Sequence, residues 1–336
     1  MKIKEKISLR QFNTFGLDIS ADYFAIVTEP QQIIKLRKTF PDLPKLILGE
    51  GSNVLFLEDF HGLVVRNEIK GDIEIIDRQT DYVDIRIPGG MHWHDVVTYA
   101  VEQNWQGIES LALIPGKAGT APFQNIGAYG TEIAAVLIAC HAIDLKNLTP
   151  VSFTNEQCAF GYRDSIFKQN KGRYFITSMD LRLYPGRPPR IRYRALENKL
   201  KEKGIKKPSI LDVYQSVIEI RRAKLPDPTV TGNAGSFFKN PIISREHYEQ
   251  LKKKYPDMPG YPFTDNRVKI PAGWLIDRAG WKGFREGDAG VHPKQALVLV
   301  NYGKASGYEI FKLSERIRAD IFDRYHIELE REVQVV

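Results

Sequence analysis

Cysteine is scarce: Cys140 and Cys158 are the only two among 336 residues, and their spacing is not that of metal ligands. That excludes a disulfide framework and a cysteine zinc site, and it fits a reducing compartment. No stretch approaches the 18 apolar residues of a membrane span. The opening MKIKEKISLRQF has none of the apolar core of a signal peptide. A cytoplasmic protein without membrane segments is therefore expected. Internal repeats and low-complexity tracts are missing too, which removes solenoids and disordered arrays. Charge of one sign is never blocked out on a large scale. Lys and Arg number 48 against 41 Asp and Glu, a net +7, and the basic clusters at 201–207 and 252–254 read as solvated faces. Without a nucleic-acid-binding motif or basic residues interleaved with aromatics, no nucleic-acid partner is expected. An anionic small molecule is compatible with the charge.

What is present describes a globular protein, with 43% hydrophobic and 26% charged residues and a length that suggests two or three domains. Residues 23–28, 31–40 and 45–48 read as strand, helix and strand. A hairpin-like pair follows at 73–76 and 83–87, then helical periodicity over 93–104. Strands are predicted at 137–144 and 174–183, and a Pro-rich loop at 185–189. Further helices fit 211–222, 245–255 and 308–325, with a last strand at 332–336. Two long glycine-rich tracts interrupt this order, which points to α+β domains around a large ligand.

The first informative stretch is a buried strand running into Gly49-Glu50-Gly51-Ser52-Asn53. Glycines there let backbone N–H groups approach a phosphate, as in an anion nest. It does not have the Gly-x-Gly-x-x-Gly form that opens a Rossmann helix, so that cofactor fold is disfavoured; a tight strand-end turn is the alternative. The second is Ile114 to Gly130, which contains Pro115, Gly116, Gly119, Gln124, Asn125, Gly127 and Ala128. A loop this long with so few charges suits a ligand lying against it, although an irregular packed loop has the same composition. His92 and His94, two residues apart on a predicted helix, would face different ways and have no third ligand nearby, so no metal site is expected.

Together the two tracts, with Asn13-Thr14-Phe15-Gly16, resemble the UDP-N-acetylenolpyruvoylglucosamine reductase family. The chain departs from the family pattern at Lys117-Ala118-Gly119-Thr120, where smaller, more glycine-rich residues are expected. Three more motifs extend the resemblance over almost the whole chain: Phe160 to Phe167 around Arg163, Gly232 to Pro241 around Ser236, and Leu329 to Val333 around Glu332. The resemblance implies a vanillyl-alcohol-oxidase-type two-part FAD-binding domain plus an α/β substrate-binding domain. The implied divisions are residues 1–68, with strand 327–336 returning to the flavin region, then 69–210, and 211–326 for the substrate.

The resemblance further implies non-covalent FAD bound by Gly49, Gly51, Ser52, Asn53, Pro115, Gly116, Gly119, Gln124, Asn125, Gly127 and Ala128, with NADPH as reductant. Arg163, Ser236 and Glu332 are the implied catalytic residues. Tyr193, Lys224, Asn240, Tyr261 and Gln295 are implied to hold a nucleotide-sugar substrate, and a monomer is expected. These residue types suit the chemistry. A fixed guanidinium can hold a carboxylate that gains charge, and a hydroxyl placed by small neighbours can deliver a proton. A different oxidoreductase on the same flavin fold is the competing reading; it would keep Gly49 to Asn53 but not the Ser236 and Glu332 motifs.

Overall fold

The alternation of Val83, Ile85 and Ile87 with Asp84 and Arg86 obliges a strand to show one apolar and one charged face, and this alternation organises the central sheet. The computed structural model describes residues 1–336. The chain divides into two compact units: Met1–Ile7, Ala21–Glu50 and His61–Ala223 form the larger, and Ser8–Ser20, Gly51–Phe60 and Lys224–Val336 the smaller. Helices and strands are mixed throughout both, which makes the fold α+β.

The first sheet has the strand order Ile3–Ser8, Ser20–Val27, Phe60–Asn67, Lys45–Leu48. Its last two strands are parallel, with Lys45 opposite Leu63 and Leu48 opposite Arg66. Helix Pro30–Thr39 starts with a proline, where the missing N–H removes no helix bond. It buries Ile33 and Leu36 among Ala25, Val27, Leu63 and Val65. The predicted strand–helix–strand is present, but strand Phe60–Asn67 was not anticipated, because its Gly62-Leu63-Val64-Val65 run is too short to show a period.

The second sheet of the larger unit is antiparallel, in the order Thr149–Thr154, Leu137–Asp144, Tyr174–Pro185, Val83–Pro88, Glu74–Arg78. On its inner face Val83, Ile85, Ile87, Met179, Leu181 and Leu183 are buried together with Trp93, Val96 and Val97 of helix Trp93–Glu102 and Val213 and Val217 of helix Ile210–Lys224. On the outer face Asp84 lies opposite Arg182 and Arg86 opposite Asp180. Both pairs are bidentate, with N–O distances of 2.7 Å for the first and 2.8 Å for the second.

In the smaller unit, strands Gly232–Ser236, Val298–Asn301, Ala289–Val291 and Arg285–Glu286 form one sheet, and Ile242–Ser244, Arg267–Lys269 and Tyr261–Thr264 another. Helix Gly307–Tyr325 packs on the first of these, burying Ile310, Leu313, Ile317 and Ile321. A capping box between Ser306 and Glu309 starts it. The chain ends in strand Gln334–Val335, shorter than predicted, parallel to Val54–Leu55. No helix is long and apolar enough to cross a membrane.

Candidate active site

In the larger unit the strand Lys45–Leu48 delivers Gly49 and Glu50 to the second glycine tract. Gly49 is buried, and a Cβ there would lie 2.8 Å from Thr120 Cγ2. The Glu50 carboxylate accepts the Gly116 N–H at 2.8 Å and pairs with His92. The tract is laid along Gly89 to Trp93 by backbone bonds: Trp93 N–H to Gly116 O, Ala118 N–H to Met91 O and Gly119 N–H to Gly89 O. A Cβ on Gly119 would come within 3.0 Å of the Gly89 carbonyl, so the close approach requires glycine. Gly116 has φ 132°, also a glycine conformation.

Asn125 is buried in the left-handed region at φ 48°. Its amide donates to Glu132 and to the Gly161 carbonyl, and its side-chain oxygen accepts the Ala134 N–H. The residue thus ties the tract to the turn that carries Arg163. Arg163 is itself left-handed, at φ 56°, a conformation that a non-glycine side chain holds only when its surroundings enforce it. Its guanidinium donates to the carbonyls of Gly127, at 2.7 Å, and Asn125, at 3.4 Å, while Lys168 holds its own carbonyl. Gly127 and Ala128 form a short strand antiparallel to Thr131–Glu132. A Cβ on Gly127 would meet Arg163 Nη1 at 3.0 Å. The structure therefore brings Arg163 against the end of the second tract.

Tyr193 is the N-cap of helix Arg194–Glu202, is half exposed, and meets Tyr129 edge-on at 5.4 Å. Tyr129, within the tract, and Arg221, hydrogen-bonded to it, were missed by sequence reasoning. Burial pulls the Arg221 guanidinium below its ordinary pKa, against a hydrogen bond with Tyr129 that raises it. Arg221 stands in the same basic run as Lys224. His92 and His94 do not share a helix face, as expected, but for a simpler reason: His92 precedes the helix as its N-cap, and His94 stacks on Tyr214 at 5.8 Å.

In the smaller unit Gly51 has φ 65°, and a Cβ on it would overlap the Phe12 carbonyl at 2.0 Å. The Asn13-Thr14-Phe15-Gly16 motif explains this proximity: Thr14 N–H donates to Gly51 O, and the Asn13 amide spans the carbonyls of Leu9 and Leu17. Asn53 reaches the C-terminal segment, donating to Glu332 O at 3.2 Å and accepting from Gln334 N–H. Ser236 ends strand Gly232–Ser236 after Gly235, which has φ 68° and open space at its Cβ. The strand's register shifts between Asn233 and Ser236, a bulge that re-aims the following side chains. The Glu332 N–H donates to Phe237 O at 2.9 Å, and Phe238 bridges Arg331. Ser236 and Glu332, separated by most of the unit's sequence, are thus carried on adjoining backbones. Asn240 accepts the N–H of Ala272, and Gln295 Oε1 lies 3.4 Å from where a Cβ on Gly273 would be, so both meet the first turn of helix Ala272–Arg278. Tyr261 and Lys224 are exposed.

A glycine-lined stretch of low charge, with two left-handed turns and close backbone approaches, fits a flavin dinucleotide in its composition and its conformation. Comparison with known proteins agrees. The family profile described as an FAD binding domain matches residues 21–146. The profile for the UDP-N-acetylenolpyruvoylglucosamine reductase C-terminal domain matches residues 227–336. A UDP-N-acetylenolpyruvoylglucosamine reductase from Flavobacterium johnsoniae is 44% identical over 339 residues, covering 100% of both chains. A crystal structure of the reductase of that name from Thermus caldophilus superposes with TM-score 0.70 at 23% identity, over 100% of this chain and 99% of that one. 6-Hydroxy-D-nicotine oxidase from Arthrobacter nicotinovorans superposes at 0.54 with 12% identity, over 97% and 86%, which supports the vanillyl-alcohol-oxidase-type fold. The protein is accordingly an FAD-dependent oxidoreductase, and the chain belongs to the UDP-N-acetylenolpyruvoylglucosamine reductase family.

Proposed function

We propose that the protein reduces UDP-N-acetylglucosamine enolpyruvate to UDP-N-acetylmuramate with NADPH as reductant, as a cytoplasmic monomer in peptidoglycan precursor synthesis. Two observations support the reading: Ser236 and Glu332 are carried on adjoining backbones, and Arg163 is locked in a left-handed turn by Asn125, Gly127 and Lys168. FAD, held by the glycine tracts, would supply hydride chemistry for the enolpyruvyl group. The residues proposed to hold the cofactor are Gly49, Gly51, Ser52, Asn53, Pro115, Gly116, Gly119, Gln124, Asn125, Gly127 and Ala128. Arg163 binds the substrate carboxylate as negative charge develops there, a task for a planar and permanently charged group. Ser236 gives its proton to the carbon next to that carboxylate, following the small residues Ala234 and Gly235 in the chain. Glu332 handles charge on the same carboxylate. Lys224, Asn240, Tyr261 and Gln295 hold the uridine diphosphate, and Tyr193 closes over it.

In domain terms, residues 1–68 with 327–336, and 69–210, are assigned to the flavin, and 211–326 to the substrate. The experiment is anaerobic stopped-flow absorbance of Ser236→Ala. Bleaching by NADPH should proceed at the wild-type rate, since that step needs no proton donor at the substrate. Reoxidation by the enolpyruvyl substrate should slow by about 10²–10⁴-fold, the usual loss on removing a placed general acid. Reoxidation at the wild-type rate would reject Ser236 as the donor.

A further inference from the structure

Lys117 lies in the second glycine tract, and its side chain is completely buried. A lysine is almost never buried without partners, and this one has two. Its Nζ is 3.3 Å from Glu68 Oε2 and 3.2 Å from His92 Nε2. An ammonium only donates, so Nε2 accepts and Nδ1 carries the ring proton. That proton points to Glu50, whose other oxygen accepts the Gly116 N–H. A continuous chain therefore runs from Glu68 through Lys117, His92 and Glu50 back to the residue preceding Lys117. The stem passes beneath the first tract, with Lys117 Cγ 3.7 Å from the position of a Cβ on Gly49.

The charges add a second constraint. Glu50 and Glu68 put two carboxylates beside tracts that are to receive a diphosphate, and Arg66, Lys70 and Lys117 oppose them. Arg66 and Lys70 pair with Glu68. Lys117 is the cation of this group that also reaches, through His92, to Glu50.

We propose that Lys117 is a positioning residue for FAD: through His92 and Glu50 it clasps residues 115–119 to Gly49–Glu50 in the cofactor-receiving conformation and offsets the Glu50 charge. The proposal rests on the assignment of these tracts to FAD, so both are tested together. Hydrogen exchange of the full-length protein with and without FAD reports whether residues 46–53 and 115–130 are protected. Flavin release from the holoprotein, followed by fluorescence on dilution, and thermal melting are then compared for wild type, Lys117→Met and Lys117→Met/Glu68→Gln. Lys117→Met should bind FAD about tenfold or more weakly, as expected for a lost charge-assisted bond. The double variant relieves the unbalanced Glu68 carboxylate, so its melting temperature should return toward wild type while its FAD affinity stays weak. Affinity that recovers along with melting temperature would mean that Lys117 only neutralises Glu68, and the proposal would fall. Wild-type affinity in Lys117→Met, with both tracts protected, overturns the proposal alone. Absence of protection in the tracts overturns the assignment and the proposal with it.

Discussion

Gly51 shows how a single backbone conformation can tie a binding loop to the fold. Its φ of 65° and the Phe12 carbonyl 2.0 Å from a would-be Cβ are two separate objections to any side chain. The first can be met by modest strain; the second can be met only by moving the Phe12–Asn13 backbone. Gly51→Ala is therefore expected to destabilise the protein by about 1–3 kcal/mol, the range for an enforced unfavourable conformation, and to lower its flavin content. Urea denaturation and the ratio of flavin to protein absorbance check both. Unchanged stability with full flavin would show that the segment around Phe12 yields freely. The same residue illustrates what sequence can carry: Gly-x-Gly announces a tight approach, but the partner that makes it tight is thirty-nine positions earlier, in a motif whose connection to Gly51 no local pattern shows. Lys117 is the sharper case. Sequence marks it as a departure, whereas its meaning depends on Glu68, His92 and Glu50 being folded around it.

At the scale of elements, the strands and helices with a long, clean period were legible: the two central strands of the larger sheet, the helices that pack on it, and helix Gly307–Tyr325. Those that escaped were short or were set by tertiary pairing. Strand Phe60–Asn67 is eight residues long but apolar only over a short buried centre at Leu63-Val64-Val65, Val298–Asn301 has four residues, and helix Ala272–Arg278 has seven. The outer face of the large sheet adds charge to this picture. Burial pushes the Asp180 carboxyl up, but hydrogen bonds from Arg86 and His141 outweigh it and hold the group below its ordinary value. A depressed folded pKa means that the unfolded chain binds the proton more readily. The stabilisation is thus complete above the unfolded aspartate pKa of about 3.9 and is lost as pH falls through the folded value. Asp180→Asn removes this dependence. Between about pH 5 and pH 3 wild type should lose more urea-denaturation stability than the variant does, and parallel losses would assign the acid sensitivity to other carboxylates.

At the scale of the whole molecule, the two family profiles fall on different units. Residues 21–146 lie largely in the larger unit and 227–336 in the smaller. The glycine stretch Gly49 to Asn53 itself straddles the division, with Gly49 and Glu50 in one unit and Gly51 to Asn53 in the other. Backbone amides and close glycine approaches are the groups available there, and no cysteine or histidine nucleophile is: Cys140 and Cys158 are buried in the large sheet's core, and His92 is engaged with Glu50 and Lys117. FAD should therefore be bound without a covalent bond. Acid precipitation is expected to leave the yellow colour in the supernatant. Returning FAD to colourless protein should raise the melting temperature by mass action, equivalent to about 2.7 kcal/mol at a hundredfold excess over the dissociation constant. An unchanged melting temperature would show that the native protein does not take up the cofactor. Colour that stays with the precipitate through denaturation would show a covalent link instead.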